Sequence, residues 1–197
     1  MNDKLLEIKR GDCISLFIND SYESVYAITK LVRDINSNET IIFNSNHFYY
    51  PCKRVIMNYG CNLKDTIKEY INDFSIAIIN CLYTNSNTKE TMDFIRFLRE
   101  DRVTKGKTFI LVFYSNNEIY KEGDKLDFSY FEIYKKLIYK YCNKHYSFYP
   151  SRSNYTDEQW TCENLKTKTK KKYRQKNWKT DEIRLIDNDE YMLWQRK

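Results

Sequence analysis

Four times before residue 142, a short apolar run gives way to a stretch whose apolar residues recur at helical spacing. Residues 13–19, CISLFIN, suit a strand buried on both faces. Val25, Ile28, Val32 and Ile35 follow at intervals of three or four, until Asn36-Ser37-Asn38 closes the pattern with turn formers. A second β-rich run covers 40–43, and after an irregular stretch around Pro51 come Leu63, Ile67, Tyr70 and Ile71, with Asn62 as N-cap and Asp65 in the first turn. Residues 75–82 read as the most buried strand. A third helix is started by Asn87 and Glu90, carries Phe94, Ile95 and Leu98 inward, and is stopped by Lys105-Gly106. Residues 108–114 form the fourth strand. Ser129 and Glu132 make a capping box for a fourth helix with Tyr130, Ile133, Tyr134, Leu137, Ile138 and Tyr141 on one face.

Strand and helix in strict alternation imply a parallel sheet, because each parallel pair needs a crossover and the crossovers cover both faces. The fold class expected is therefore α/β, a mostly parallel sheet with helices on both faces. Residues 1–150 form its core. Residues 151–197 hold a basic segment and a C-terminal β-hairpin, 182–186 with 190–194 turning at Asp187-Asn188-Asp189, packed on the same domain. A further β-like piece covers 146–149. No apolar stretch approaches the roughly 20 residues that span a bilayer, and residues 1–10 are charged where a signal peptide is apolar. The six cysteines, 13, 52, 61, 81, 142 and 162, show no C-x-x-C pair, so they read as small buried hydrophobes in a reducing compartment, nuclear or cytoplasmic.

Charge is concentrated in one place. Lys166, Lys168, Lys170, Lys171, Lys172, Arg174, Lys176 and Lys179 fall within fourteen residues that contain no acid. Those eight charges exceed the net +6 of the chain, so the rest is close to neutral and slightly acidic. A near-neutral body with one cationic segment suits a polyanion, and Tyr173 and Trp178 inside the run add rings that could stack on bases. The alternative is a solvated basic loop or a localisation signal.

Ligands of open α/β sheets sit beyond the carboxyl ends of the strands, here 19–24, 44–47, 80–84 and 115–118. The first of these has no Gly and no Lys but two acids, Asp20 and Glu23, so it lacks what a phosphate loop or a dinucleotide-binding turn needs. His47 and His145 have no Ser or Cys in a glycine-bearing elbow and read as packed or surface histidines. Asp187 and Asp189 match the Asp-x-Asp pattern of metal-dependent glycosyltransferases, though two acids between β-like runs more often mark a hairpin turn. Glu100 and Asp101 end a helix and read as solvated.

The order of parts over residues 5–118 resembles the RecA-like ATPase domain of recombinases, their paralogues and KaiC-type proteins. The pieces that carry the resemblance are Gly11-Asp12 leading into 13–19, Asn62-Leu63-Lys64-Asp65 through Ile71, the strand 75–82, and Phe94-Ile95-Arg96-Phe97-Leu98 preceding 107–112. The resemblance implies a phosphate loop at 20–24, a metal-binding acid at Asn80 and a polar sensor at Ser115 or Asn116. The first two lack the residues ATP hydrolysis needs. It thus implies a degenerate, non-enzymatic member without cofactor or metal, a pseudo-ATPase subunit that pairs with a paralogous RecA-like subunit and binds single-stranded or duplex DNA in recombination and repair. Alternatives are an Elongator-like subunit acting on transfer RNA and the glycosyltransferase using Asp187 and Asp189.

Overall fold

The apolar runs become adjacent strands of one sheet. The computed structural model describes residues 4–18, 21–35, 37–44, 52–57, 62–83, 88–114, 138–154, 157–176 and 184–186. Its strands are β1 (Cys13–Ile18), β2 (Thr40–Asn44), β3 (Lys53–Ile56), β4 (Ile76–Tyr83), β5 (Thr108–Tyr114), β6 (Lys144–Asn154), β7 (Asp157–Asn164), β8 (Lys170–Lys176) and β9 (Arg184–Ile186). They lie in the order β3-β2-β4-β5-β1-β6-β7-β8-β9. From β3 to β6 every pair is parallel; from β6 to β9 every pair is antiparallel. The fold is α/β with a mostly parallel sheet.

Helices α1 (Ser21–Asp34), α2 (Leu63–Glu69) and α3 (Thr88–Glu100) divide between the faces. On one face Ala27, Ile28, Leu31 and Val32 of α1 pack with Ile14, Leu16, Ile42, Ile78 and Ile110. On the other, Ile67 of α2 and Phe94, Ile95 and Leu98 of α3 pack with Phe17, Phe43, Ile79, Phe109 and Leu111. Consecutive residues of one strand thus serve opposite cores, which is why these strands are apolar throughout. Asn62 caps α2 as its position predicts, its Oδ1 accepting from Lys64 N at 3.0 Å.

Several expectations need correction. The third helix ends at Glu100, before Lys105-Gly106: Thr104 Oγ1 donates to Phe97 O and Asp101 O, and Asp101 Oδ1 accepts from Val103 N, which turns the chain out of the helix. The irregular stretch after Pro51 contains β3, an edge strand whose Lys53 and Arg54 hide its β character; charged side chains are a usual way to blunt an exposed edge. The boundary at 150 falls inside β6, and the piece at 146–149 is part of that longer strand. The middle of the basic run, Lys170–Lys176, is itself a strand. Of the C-terminal hairpin, 184–186 forms β9 and pairs back onto β8, while 190–194 lies outside the described residues, as do Asn87 and the capping box Ser129 and Glu132. A helical turn at 138–141 precedes β6.

Residues 4–10 form a strap beneath the antiparallel wing. Leu5 and Leu6 are buried in the α1-side core. Leu5 N donates to Asp34 at the end of α1 (2.6 Å), Lys171 Nζ to Lys4 O (2.8 Å) and Lys144 Nζ to Glu7 O (2.7 Å). Asp12, next along, is buried and accepts from Lys144 Nζ, Asn143 Nδ2 and Lys9 N, each at 2.7 Å.

Candidate nucleic-acid interface

A strand turns alternate residues to opposite faces, and this sorts the basic run. Lys171 and Tyr173 stand opposite Cys162 and Trp160 of β7 and point into the α1-side core. Tyr173 is fully buried, with its hydroxyl 3.4 Å from Lys4 O, so its ring is a core anchor and is not available to stack on a base. Lys171 spends its ammonium on Lys4 O. Lys170, Lys172 and Arg174 stand opposite Glu163, Thr161 and Gln159 and make a row on the other face. At about 3.3 Å rise per residue, neighbouring members of the row are about 6.6 Å apart.

The floor beside this row is polar and buried: Ser147 on β6 and Gln159, Thr161 and Glu163 on β7. Glu163 accepts from Tyr149 OH at 3.2 Å and pairs with Lys170 Nζ at 3.5 Å. Burial would lower the Lys170 pKa, but Tyr149 and Glu163 outweigh it and raise it, so the charge is secure. Burial, and then Lys170, lower that of Lys172. Both amide atoms of Gln159 are buried without a partner, the one such side chain among the described residues. Such an orphan costs about 1–3 kcal/mol per group and leaves donors and an acceptor beside Arg174.

Lys166 and Lys168 are exposed in the β7–β8 turn. Asn164 holds that turn, its Oδ1 accepting from Lys166 N and Thr167 N, and Lys168 takes a positive φ of 60°. Lys176 ends β8 in register with Asp157. Trp178 and Lys179, and likewise His47, Ser115, Asn116, Asp187 and Asp189, lie outside the described residues.

Of the positions that the resemblance assigns to nucleotide chemistry, Asn80 is buried near the carboxyl end of β4, beside Asn44 of β2. Between β1 and α1 only residues 19 and 20 intervene. Ser15 Oγ meets His145 Nδ1 at 2.8 Å, a pairing the sequence did not suggest, but Ser15 is fully buried and the bond links two neighbouring strands. No group of three or more His, Cys, Asp or Glu placed to hold a metal occurs among the described residues, and none of their helices is long and apolar enough to cross a membrane.

In comparisons with known protein families and with curated proteins, the chain matches neither a family nor a curated protein. The assignment of chemistry therefore rests on the geometry above.

Proposed function

We propose that the chain is a non-catalytic RecA-like subunit that binds nucleic acid, DNA first, and works with a paralogous partner. The observation that carries the binding half is the row of Lys170, Lys172 and Arg174, three cations set at one interval on a rigid strand, continued towards the turn by Lys166 and Lys168. A fixed row neutralises successive phosphates at less entropic cost than a free loop.

Two features support the RecA-like half. In such a domain the strands for the phosphate loop, the metal acid and the sensor would be β1, β4 and β5, and these three adjoin, with β5 in the middle. The connection from β1 to α1 is two residues long, too short for a phosphate-wrapping loop of eight, which supports the non-catalytic reading.

The test is fluorescence anisotropy with single-stranded DNA, duplex DNA and transfer RNA across a salt series. Wild type is expected to bind in a salt-sensitive manner. Replacing Lys170, Lys172 and Arg174 together by Ala should weaken binding on every sequence and flatten the log–log salt slope by about 2–3, roughly 0.7–0.9 for each phosphate no longer neutralised. Lys171→Ala, on the opposite face, should leave the slope unchanged. Equal slopes in wild type and the triple variant would remove the row from the mechanism, and a preference for transfer RNA would favour the RNA-modification reading.

A further inference from the structure

At the amino ends of β1 and β6, opposite to the strand ends where α/β sheets usually bind ligands, the surface opens into a cavity of about 520 Å³. Its wall comes from three places in the chain: Arg99 of α3, residues 139–143 and His145 running from the helical turn into β6, and Leu165 and Lys166 of the β7–β8 turn. The cations Arg99, Lys140 and Lys166 contribute, and no acid does. None of the three is within ion-pair distance of a carboxylate among the described residues. Arg99 uses one N–H on Gly11 O at 3.1 Å, and Lys140 lies over the Tyr141 ring at 5.2 Å.

Two helical segments end here, α3 at Glu100 and the turn at Tyr141, and their carbonyl ends by themselves favour nearby cations. That accounts for Arg99 and Lys140. It does not account for Lys166, which arrives from the far side of the cavity on a β-turn. The field of these cations is felt at the wall: the Lys166 ammonium adds to burial in lowering the pKa of His145, while the Cys142 thiol is pushed up by its Cys13 hydrogen bond and by burial, against a smaller opposing pull from Arg99. Tyr139, 40% exposed, stands edge-on to the His145 ring at 4.1 Å and gives the cavity a flat aromatic side.

We propose that this cavity is a phosphate site, with Arg99 of α3 and Lys166 of the β7–β8 turn gripping the anion and Tyr139 lying beside the group that carries it. The volume falls in the range of small-ligand pockets and exceeds what a bare phosphate fills. The phosphate could belong to a free phosphorylated small molecule or to the phosphorylated end of a nucleic-acid strand. The site shares Lys166 with the end of the β8 row, but Arg99, Lys140 and Tyr139 lie outside that row, so loss of binding in Arg99→Gln alone separates the two.

The test follows the ring protons of His145 by NMR near pH 7, assigned by a His47→Gln variant, as inorganic phosphate, a nucleoside monophosphate, and oligonucleotides with and without a 5′-phosphate are added. A saturable shift with phosphate and the monophosphate is expected. In an Arg99→Gln/Lys166→Gln double variant the affinity should fall by about a hundredfold or more, since each lost charge-assisted contact costs about tenfold or more. Both side chains are exposed, so the variant keeps its fold, checked by circular dichroism. If only the 5′-phosphorylated oligonucleotide outdoes the monophosphate, the site takes strand ends; if the small molecules bind as well, it takes a free ligand. No shift of His145 with any phosphate-bearing probe, an equal response in the double variant, or an oligonucleotide without a 5′-phosphate that shifts His145 as strongly as the phosphate-bearing probes would overturn the proposal.

Discussion

His145 is held neutral inside the protein: burial, and then the Lys166 ammonium, push its pKa down to about 4. In an unfolded chain an imidazole titrates near 6.5. Between those values the unfolded chain takes up a proton that the native chain refuses, so stability is complete above about pH 6.5 and is lost as pH falls towards 4. Thermal melts at pH 7 and pH 5 should show a lower Tm at pH 5, and His145→Gln should reduce that difference; an unchanged difference would assign the acid sensitivity to other groups. Asp12 acts in a separate window. Burial pushes its carboxyl up, but Lys144, Asn143 and Lys9 outweigh that and hold it below its ordinary value of 3.8. Its contribution persists above the usual carboxylate range and disappears only at more acid pH, as the native carboxyl takes its proton.

At the scale of the element, β8 is a strand that lacks a strand's sequence. KKKYRQK has one apolar residue, and it is the one that fixes the strand in place. Tyr173→Ala should cost about 3–5 kcal/mol, the usual range for emptying a buried aromatic site, whereas Tyr173→Phe loses only a long hydrogen bond and should cost under about 1 kcal/mol. Chemical denaturation distinguishes them, and a small loss in both would mean that the wing is held by its backbone ladder alone. The same residue shows why the sequence was legible in part. β1, β2, β4 and β5 are buried on both faces, so their character is written in their own residues, as is the cap at Asn62. β3, β7 and β8 have one polar or charged face and few apolar residues on the other, and their state is decided by the neighbours that complete their ladders. The basic run was visible as composition, but composition does not say that Lys170 and Lys171 face opposite ways. Three separate stretches of chain build the cavity beside His145, and no local pattern announces it.

At the scale of the molecule, nine strands among the described residues make one sheet, and the antiparallel wing is part of its core rather than an appendage. Trp160, Cys162 and Tyr173 belong to the same apolar cluster as Leu5, Leu6 and the inner face of α1. A chain cut after residue 150 should therefore show no cooperative thermal transition; a sharp melt with native-like circular dichroism would mean that the parallel part stands alone. The strap of residues 4–10 carries the same dependence into time. Leu5 and Leu6 leave the ribosome about 170 residues before the strand bearing Tyr173, which closes over them. At roughly 5–20 residues per second that is on the order of 10–30 s of waiting. For that interval two leucines destined for the interior remain uncovered, so translation speed and any chaperone that shields a nascent apolar segment help to decide how much of this protein reaches its native state.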